Sequence, residues 1–209
     1  MTDTYVISSV RETDNAVTLE IVDPCGGVKR MRLTVKIWAS MGLSRADVIS
    51  RDTYEKLKEY SERCEAVTKA LRILADGMYS IRGLTEKLTR SGFSKEAAEA
   101  AVALALKRGL IDEESQAQAV ATRQVTKLHR GRSRVIRELA AKGYPSDVAK
   151  KAADSVPAGA YEQALEISLM KKCRDGIPEE KGERDRLAAS LMRLGFSSGE
   201  VIKKMKEYR

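Results

Sequence analysis

Hydrophobic and polar positions follow two different periods along this chain of 209 residues. Before Lys36 the period is two. Val17, Leu19 and Ile21 alternate with Thr18 and Glu20, and Met31, Leu33 and Val35 alternate with Arg32 and Thr34. Successive side chains of a strand point to opposite sides, so this alternation marks strands with one covered face. Asn15 and the run DPCGG from Asp23 to Gly27 place turn formers between the runs. The pattern predicts a small antiparallel sheet of about three strands, with Tyr5–Val10 the weakest. Near Val35 it tightens into a short helix that Gly42 can end with a left-handed cap.

From Asp52 onward the period is helical. Leu57, Tyr60, Cys64, Val67, Leu71 and Leu74 recur at spacings of three and four and predict one apolar seam up to Gly77. Ser80 is placed to cap a second helix with Ile81, Leu84 and Leu88 inward. Gly92 stops that helix, since a residue without Cβ takes the left-handed conformation at low cost, and Phe93 then folds back as a core plug. Ser94 caps a third helix, which turns Ala97, Ala98, Ala101, Val102 and Ala105 inward before Gly109.

The same phrase is written three times: KLTRSGFSKEAAEAAV at 87–102, ELAAKGYPSDVAKKAA at 138–153 and SLMRLGFSSGEVIKKM at 190–205. Leu88–Gly92–Phe93, Leu139–Gly143–Tyr144 and Leu191–Gly195–Phe196 hold equivalent places. In the last copy Ser197 and Glu200 form an S-x-x-E capping box. Each phrase supplies helices two and three of a three-helix unit, and the preceding segment supplies helix one, over about 112–128 in the second unit and 160–172 in the third. The fold class expected is mainly α: three tandem three-helix, helix-turn-helix-like repeats in an elongated array after a small amino-terminal antiparallel β-sheet. The boundaries read as 1–50 for the sheet and short helix, then 51–110, 111–157 and 158–209 for the repeats. With helices about 9 Å apart, such an array spans about 60–75 Å.

Composition adds mainly exclusions. Aromatics are 5% of the chain and Cys25, Cys64 and Cys173 stand far apart, which suggests neither a disulfide framework nor a zinc site. The longest apolar run, Ala100 to Leu106, is too short for a membrane span, and the first residues lack the basic start and apolar core of a signal peptide. These features predict a cytoplasmic chain. No Walker, HExxH, GxSxG or GxGxxG motif occurs, and His129 is the only histidine. Acidic pairs such as Glu113/Glu114 and Glu179/Glu180 fit helix starts, where they complement the dipole. The chain is therefore expected to be no enzyme and to need no cofactor or metal.

Charge becomes informative once it is divided along the chain. Nine basic residues meet two acidic ones in 120–151, so this segment holds +7 of the net +8. A localised positive field points to an acidic partner or a phosphate backbone. The expected contact residues are Arg123, Lys127, Arg130, Arg132, Arg134 and Arg137, joined by Lys142, Lys150 and Lys151. Arg123, Lys127 and Arg130 are spaced to share a face of one helix, and Arg134 and Arg137 a face of the next. A merely solvated face usually mixes signs, and this one does not.

These residues carry a resemblance. The three GF-type turns, RGRSRVIRELAAKG at 130–143, IWASMGLSRADVI at 37–49, ALRILADGMYSIRGLTEKLTRSGF at 70–93 and LALKRGLIDEESQAQAVATRQ at 104–124 resemble, in order and spacing, the RecX-type regulators of the RecA recombinase. Two departures stand out: Tyr144 and Pro145 replace the usual Phe-Ser/Asp, and RDGIPEEKGERD interrupts the third unit. The resemblance implies a bacterial monomer acting in DNA repair, recombination and the SOS response. It implies binding to RecA–DNA filaments along their helical groove, with restraint of recombinase, ATPase and co-protease activity. Single- or double-stranded DNA is a possible further partner. A competing reading is an autonomous nucleic-acid-binding protein of helix-turn-helix type, weakened by the Ala- and Leu-rich third helix of the first repeat.

Overall fold

A computed structural model describes residues 4–173 and 176–208. Arg174 and Asp175, which open the interruption in the third repeat, lie outside the described residues, as do the first three residues. The chain forms two compact units. One takes residues up to 77 together with 84–110, and the other takes 78–83 together with 111 onward.

The first unit opens with β1 (Tyr5–Thr13), β2 (Ala16–Val22) and β3 (Val28–Leu33), followed by α1 (Val35–Met41), β4 (Val48–Ile49) and α2 (Arg51–Asp76). The strands lie in the order β3-β2-β1-β4, all antiparallel. The alternating positions fall as expected: Val17, Leu19, Ile21, Met31 and Leu33 are buried on one face together with Ile7. Trp38 of α1 and Tyr54 and Leu57 of α2 cover that face. Removing a side chain of this size from water contributes about 1.5–3 kcal/mol, so this small layer has enough driving force to order the sheet. β1 runs further than its sequence suggests. β4 is the strand that periodicity misses, since two residues are too few to show a period. Thr34 caps α1, and Gly42 ends it in the left-handed region as anticipated.

The seam of α2 differs from the expected one. Tyr54, Leu57, Ser61, Ala66, Ala70 and Ile73 are buried, while Leu71 is 38% exposed. The helix packs closely on α4 (Lys95–Lys107), whose inward face is Ala97, Ala98, Ala101, Val102 and Ala105 as predicted. Small residues on both helices allow that close approach, and a seam drawn through the largest apolar residues overlooks them. α3 (Ile81–Arg90) precedes α4 and buries Leu84 and Leu88.

The second unit holds α5 (Glu113–Thr126), α6 (Arg132–Ala141), α7 (Ser146–Asp154), α8 (Ala158–Lys172), α9 (Lys181–Arg193) and α10 (Ser198–Glu207). Its buried residues make one continuous core, in which Val125, Val135 and Leu139 join Leu165, Leu169, Leu191 and Val201. The second and third copies of the phrase therefore share an interior.

The turns repeat faithfully where the backbone decides and vary where the side chain does. Gly92, Gly143 and Gly195 all take positive φ, at 95°, 87° and 101°. Tyr144 and Phe196 are 4% exposed and act as plugs, whereas Phe93 is only half-buried. Ser94 and Ser197 cap the helices that follow them, Ser197 within a complete capping box. Pro145 holds the same place in the second copy and makes no side-chain cap.

Candidate partner-binding surface

The nine cations predicted as contacts all belong to the second unit, and its internal packing sets how each is used. Ser80 Oγ accepts from the Gly83 N–H at 3.0 Å and donates to the Lys142 carbonyl at 2.7 Å. Ser133 Oγ donates to the Gly195 carbonyl at 2.8 Å. Both bonds join residues 62 apart and tie the start of one helix to the GF-type turn of the following copy, at the residue before the turn glycine in the first case and at the glycine itself in the second. At the second junction the chains touch through backbone. Gly131 N–H donates to the Leu194 carbonyl at 2.9 Å, and Ser133 N–H donates to the Gly195 carbonyl at 3.2 Å. A Cβ on Gly131 would run into the Gly195–Phe196 peptide, and one on Gly195 would come within 2.5 Å of the Arg134 nitrogen. Glycine is required here by proximity as well as by conformation. The RGRSR stretch is thus a packing element as much as a charged one.

Two of its arginines are accordingly held by carboxylates. Arg132 Nε donates to Asp154 at 2.6 Å, which raises the guanidinium's pKa and holds the Asp154 carboxyl below the usual carboxylate range. Arg134 pairs with Glu138 at 2.6 Å, one helical turn on. Lys151 approaches Glu114 at 3.7 Å. α5 ends at Thr126 with Lys127 as its cap, so Arg130 lies beyond the helix and does not share its face with Arg123 and Lys127. Arg130 is half-buried, and its N–H donates to the Gln124 carbonyl. Arg123, Lys127, Arg137, Lys142 and Lys150 are exposed and form no ion pair among the described residues. They are the cations available to a partner. His129, with a left-handed backbone at φ 51°, has its pKa lowered by burial and by Lys171. It therefore adds no charge near neutral pH.

A cavity of about 430 Å³ in the same unit is lined by Arg132, Asp154, Tyr161, Phe196, Glu200 and Lys204. Its charges largely answer one another, and Tyr161 donates its hydroxyl to the Ala153 carbonyl at 2.9 Å, with its pKa pushed up to about 12, chiefly by burial. A second basic surface, which charge counting along the chain did not reveal, lies in the first unit, where Arg11, Arg30, Arg32, Lys69 and Arg72 line one groove. No helix among the described residues is long and apolar enough to cross a membrane.

No family model matches the chain. It is 25% identical over 167 residues to the regulatory protein RecX of Caldanaerobacter subterraneus subsp. tengcongensis, an alignment spanning 80% of each protein. Its fold matches a crystal structure of a regulatory protein RecX with a TM-score of 0.73, over 97% of this chain and 99% of that one at 15% identity. The structure of RecX from Lactobacillus salivarius matches with a TM-score of 0.60, over 70% of this chain and 97% of the other at 14% identity. The chain is thus similar to RecX regulatory proteins, in sequence over four-fifths of its length and in fold over nearly all of it.

Proposed function

We propose that this protein regulates a RecA-type recombinase by binding its nucleoprotein filament along the helical groove and slowing ATP hydrolysis, strand exchange and co-protease activity. The observation that carries this reading is the likeness to RecX regulatory proteins, in sequence over four-fifths of the chain and in fold over nearly all of it. A binding protein changes a filament by preferring one of its states, so a regulator of this kind needs surface rather than catalysis. Arg123, Lys127, Arg137, Lys142 and Lys150 supply cations suited to phosphates or to acidic side chains of the filament. The autonomous DNA-reader alternative is weakened by the third helices. Lys151 is drawn to Glu114, and Lys204 lies between Glu166 and Glu207 at 3.5 and 3.3 Å.

The test is a titration of recombinase ATPase on single-stranded DNA. The wild-type protein inhibits at less than one copy per recombinase subunit. Arg123→Glu, Lys127→Glu and Arg137→Glu together raise the amount needed at least about tenfold, with helical content and melting nearly unchanged, since exposed substitutions seldom cost much stability. Reversing Arg132 and Arg134 is a poorer test, because both already hold carboxylates of the same unit. Full inhibition by the triple variant removes these cations as the contact surface, and no inhibition by wild type removes the regulatory reading.

A further inference from the structure

The open face of the sheet is the floor of a groove of about 600 Å³ in the first unit. Residues that turn away from the core meet across the strands in two rows. Arg11 stands opposite Thr18, which stands opposite Arg32; Ser9 stands opposite Glu20, which stands opposite Arg30. α2 forms the wall. It begins on the core face with Tyr54 and Leu57, then passes the edge strand β3 where Ser61 Oγ accepts the Arg32 N–H at 2.9 Å. Beyond that point it brings Glu65, Thr68, Lys69 and Arg72 to the groove, and Phe93 completes the lining.

The groove is strongly cationic. Arg30 and Glu20 pair at 2.7 Å, so their charges cancel. Glu65 receives the Ser61 hydroxyl at 3.4 Å. Arg11, Arg32, Lys69 and Arg72 enter no ion pair among the described residues. Four uncompensated cations therefore share one concavity with a single unpaired carboxylate, and a concave low-dielectric wall concentrates such a field.

We propose that this groove binds a single strand of nucleic acid through its phosphates. Arginine forks match phosphate oxygens in bidentate fashion, and the hydroxyls of Ser9 and Thr18 are further donors of the kind that phosphate contacts use. Cations two residues apart on a strand are separated by about 7 Å, and Arg11 and Arg32, two strands apart, by about 10 Å. That grid is on the scale of the phosphate spacing in an extended single strand. A floor only three strands wide, beside a helical wall, confines one strand and excludes a duplex. The half-buried ring of Phe93 offers a face on which a base can stack, as aromatic rings do in single-strand grooves. An acidic protein segment would call for apolar anchoring pockets, and apart from Phe93 the lining has only Met31, itself 4% exposed.

The test uses the full chain and a fluorescent oligo(dT) strand, with anisotropy followed across a salt series and no recombinase present, so its failure leaves the regulatory reading standing. Arg11→Glu with Arg72→Glu weakens binding at least about tenfold and lowers the salt slope by about 1.4, near 0.7 for each single-strand phosphate that is no longer neutralised. Lys69→Glu alone, a milder change, lowers the slope by about 0.7. Phe93→Leu weakens oligo(dT) several-fold and leaves an abasic strand of the same length unaffected. Introducing the groove reversal into the Arg123, Lys127, Arg137 triple variant produces the same factor, which separates this groove from the second unit. Unchanged affinity and slope in the folded groove variants overturn the proposal. Equal affinity for the matching duplex also overturns it, as does displacement of the oligonucleotide by a polyglutamate peptide at equal charge, which would assign the groove to an acidic protein segment.

Discussion

Nine basic residues meet two acidic ones between 120 and 151, whereas the groove of the first unit gathers five cations and two carboxylates from three strands and a helix. By composition the first region dominates. In the fold, part of that dominance is spent internally: Arg132 on Asp154, Arg134 on Glu138 and Lys151 on Glu114. The groove arises from the opposite arrangement, since residues 1–63 carry as many acids as bases, and among the described acids of that stretch only Glu20 lines it. A run of like charge along a chain is therefore a poor measure of the field a partner meets. The comparison also separates two uses of arginine, one locking the RGRSR stretch to a neighbouring turn and the other leaving side chains free in a concavity.

The sharpest way to break this comparison is through the backbone that the basic stretch touches. Gly195→Ala places a Cβ against Arg134 and Gly131 at a residue already at φ 101°, and is expected to lower stability by about 3–4 kcal/mol in urea unfolding. Gly92→Ala, at φ 95° with open space around it, is expected to cost about 1 kcal/mol. Similar losses at the two sites would mean that the junction is not what Gly195 serves.

Gly131→Ala isolates the proximity effect, because its backbone is extended and only the Gly195–Phe196 peptide stands in the way. A loss of about 2–3 kcal/mol is expected. Arg11→Ala and Arg72→Ala in the groove should change stability by no more than about 0.5 kcal/mol, as unpaired surface side chains do. If the groove arginines proved as costly as Gly131, they too would be architectural and the contrast would fail.

The smallest effect is electrostatic. The Asp154 pKa is lowered by its hydrogen bond and charge contact with Arg132. A depressed carboxylate contributes stability above its unfolded value, near 3.9, and loses it as pH falls through the folded one. Asp154→Asn should therefore show a slight deficit in melting temperature at pH 6 that closes as the solution is acidified below the ordinary carboxylate range. A deficit independent of pH would assign the pair a packing role alone.

Much of the local structure could be read from the residues themselves, for a reason of range. A helix seam, an N-cap, a left-handed glycine and strand alternation are each decided within about four positions, so Ser94, Ser197, Gly42, the three phrase glycines and the inward alanines of α4 fell where the pattern put them. The resemblance to RecX regulators rested on the order of such local phrases and is matched by the fold. Other features had no local signal. β4 exists because Val48 and Ile49 lie beside Val6 and Tyr5, and α2 buries Ser61, Ala66 and Ala70 because α4 and the sheet edge come close. Phe93 and Phe196 occupy equivalent places in the sequence, yet one lines a groove and the other is buried in a shared core. Which cations remain free was decided by partners as distant as Asp154 is from Arg132, 22 positions away. Periodicity and capping act through neighbouring peptides, whereas burial, ion pairing and the field of a groove depend on distances through space that only the packed chain establishes.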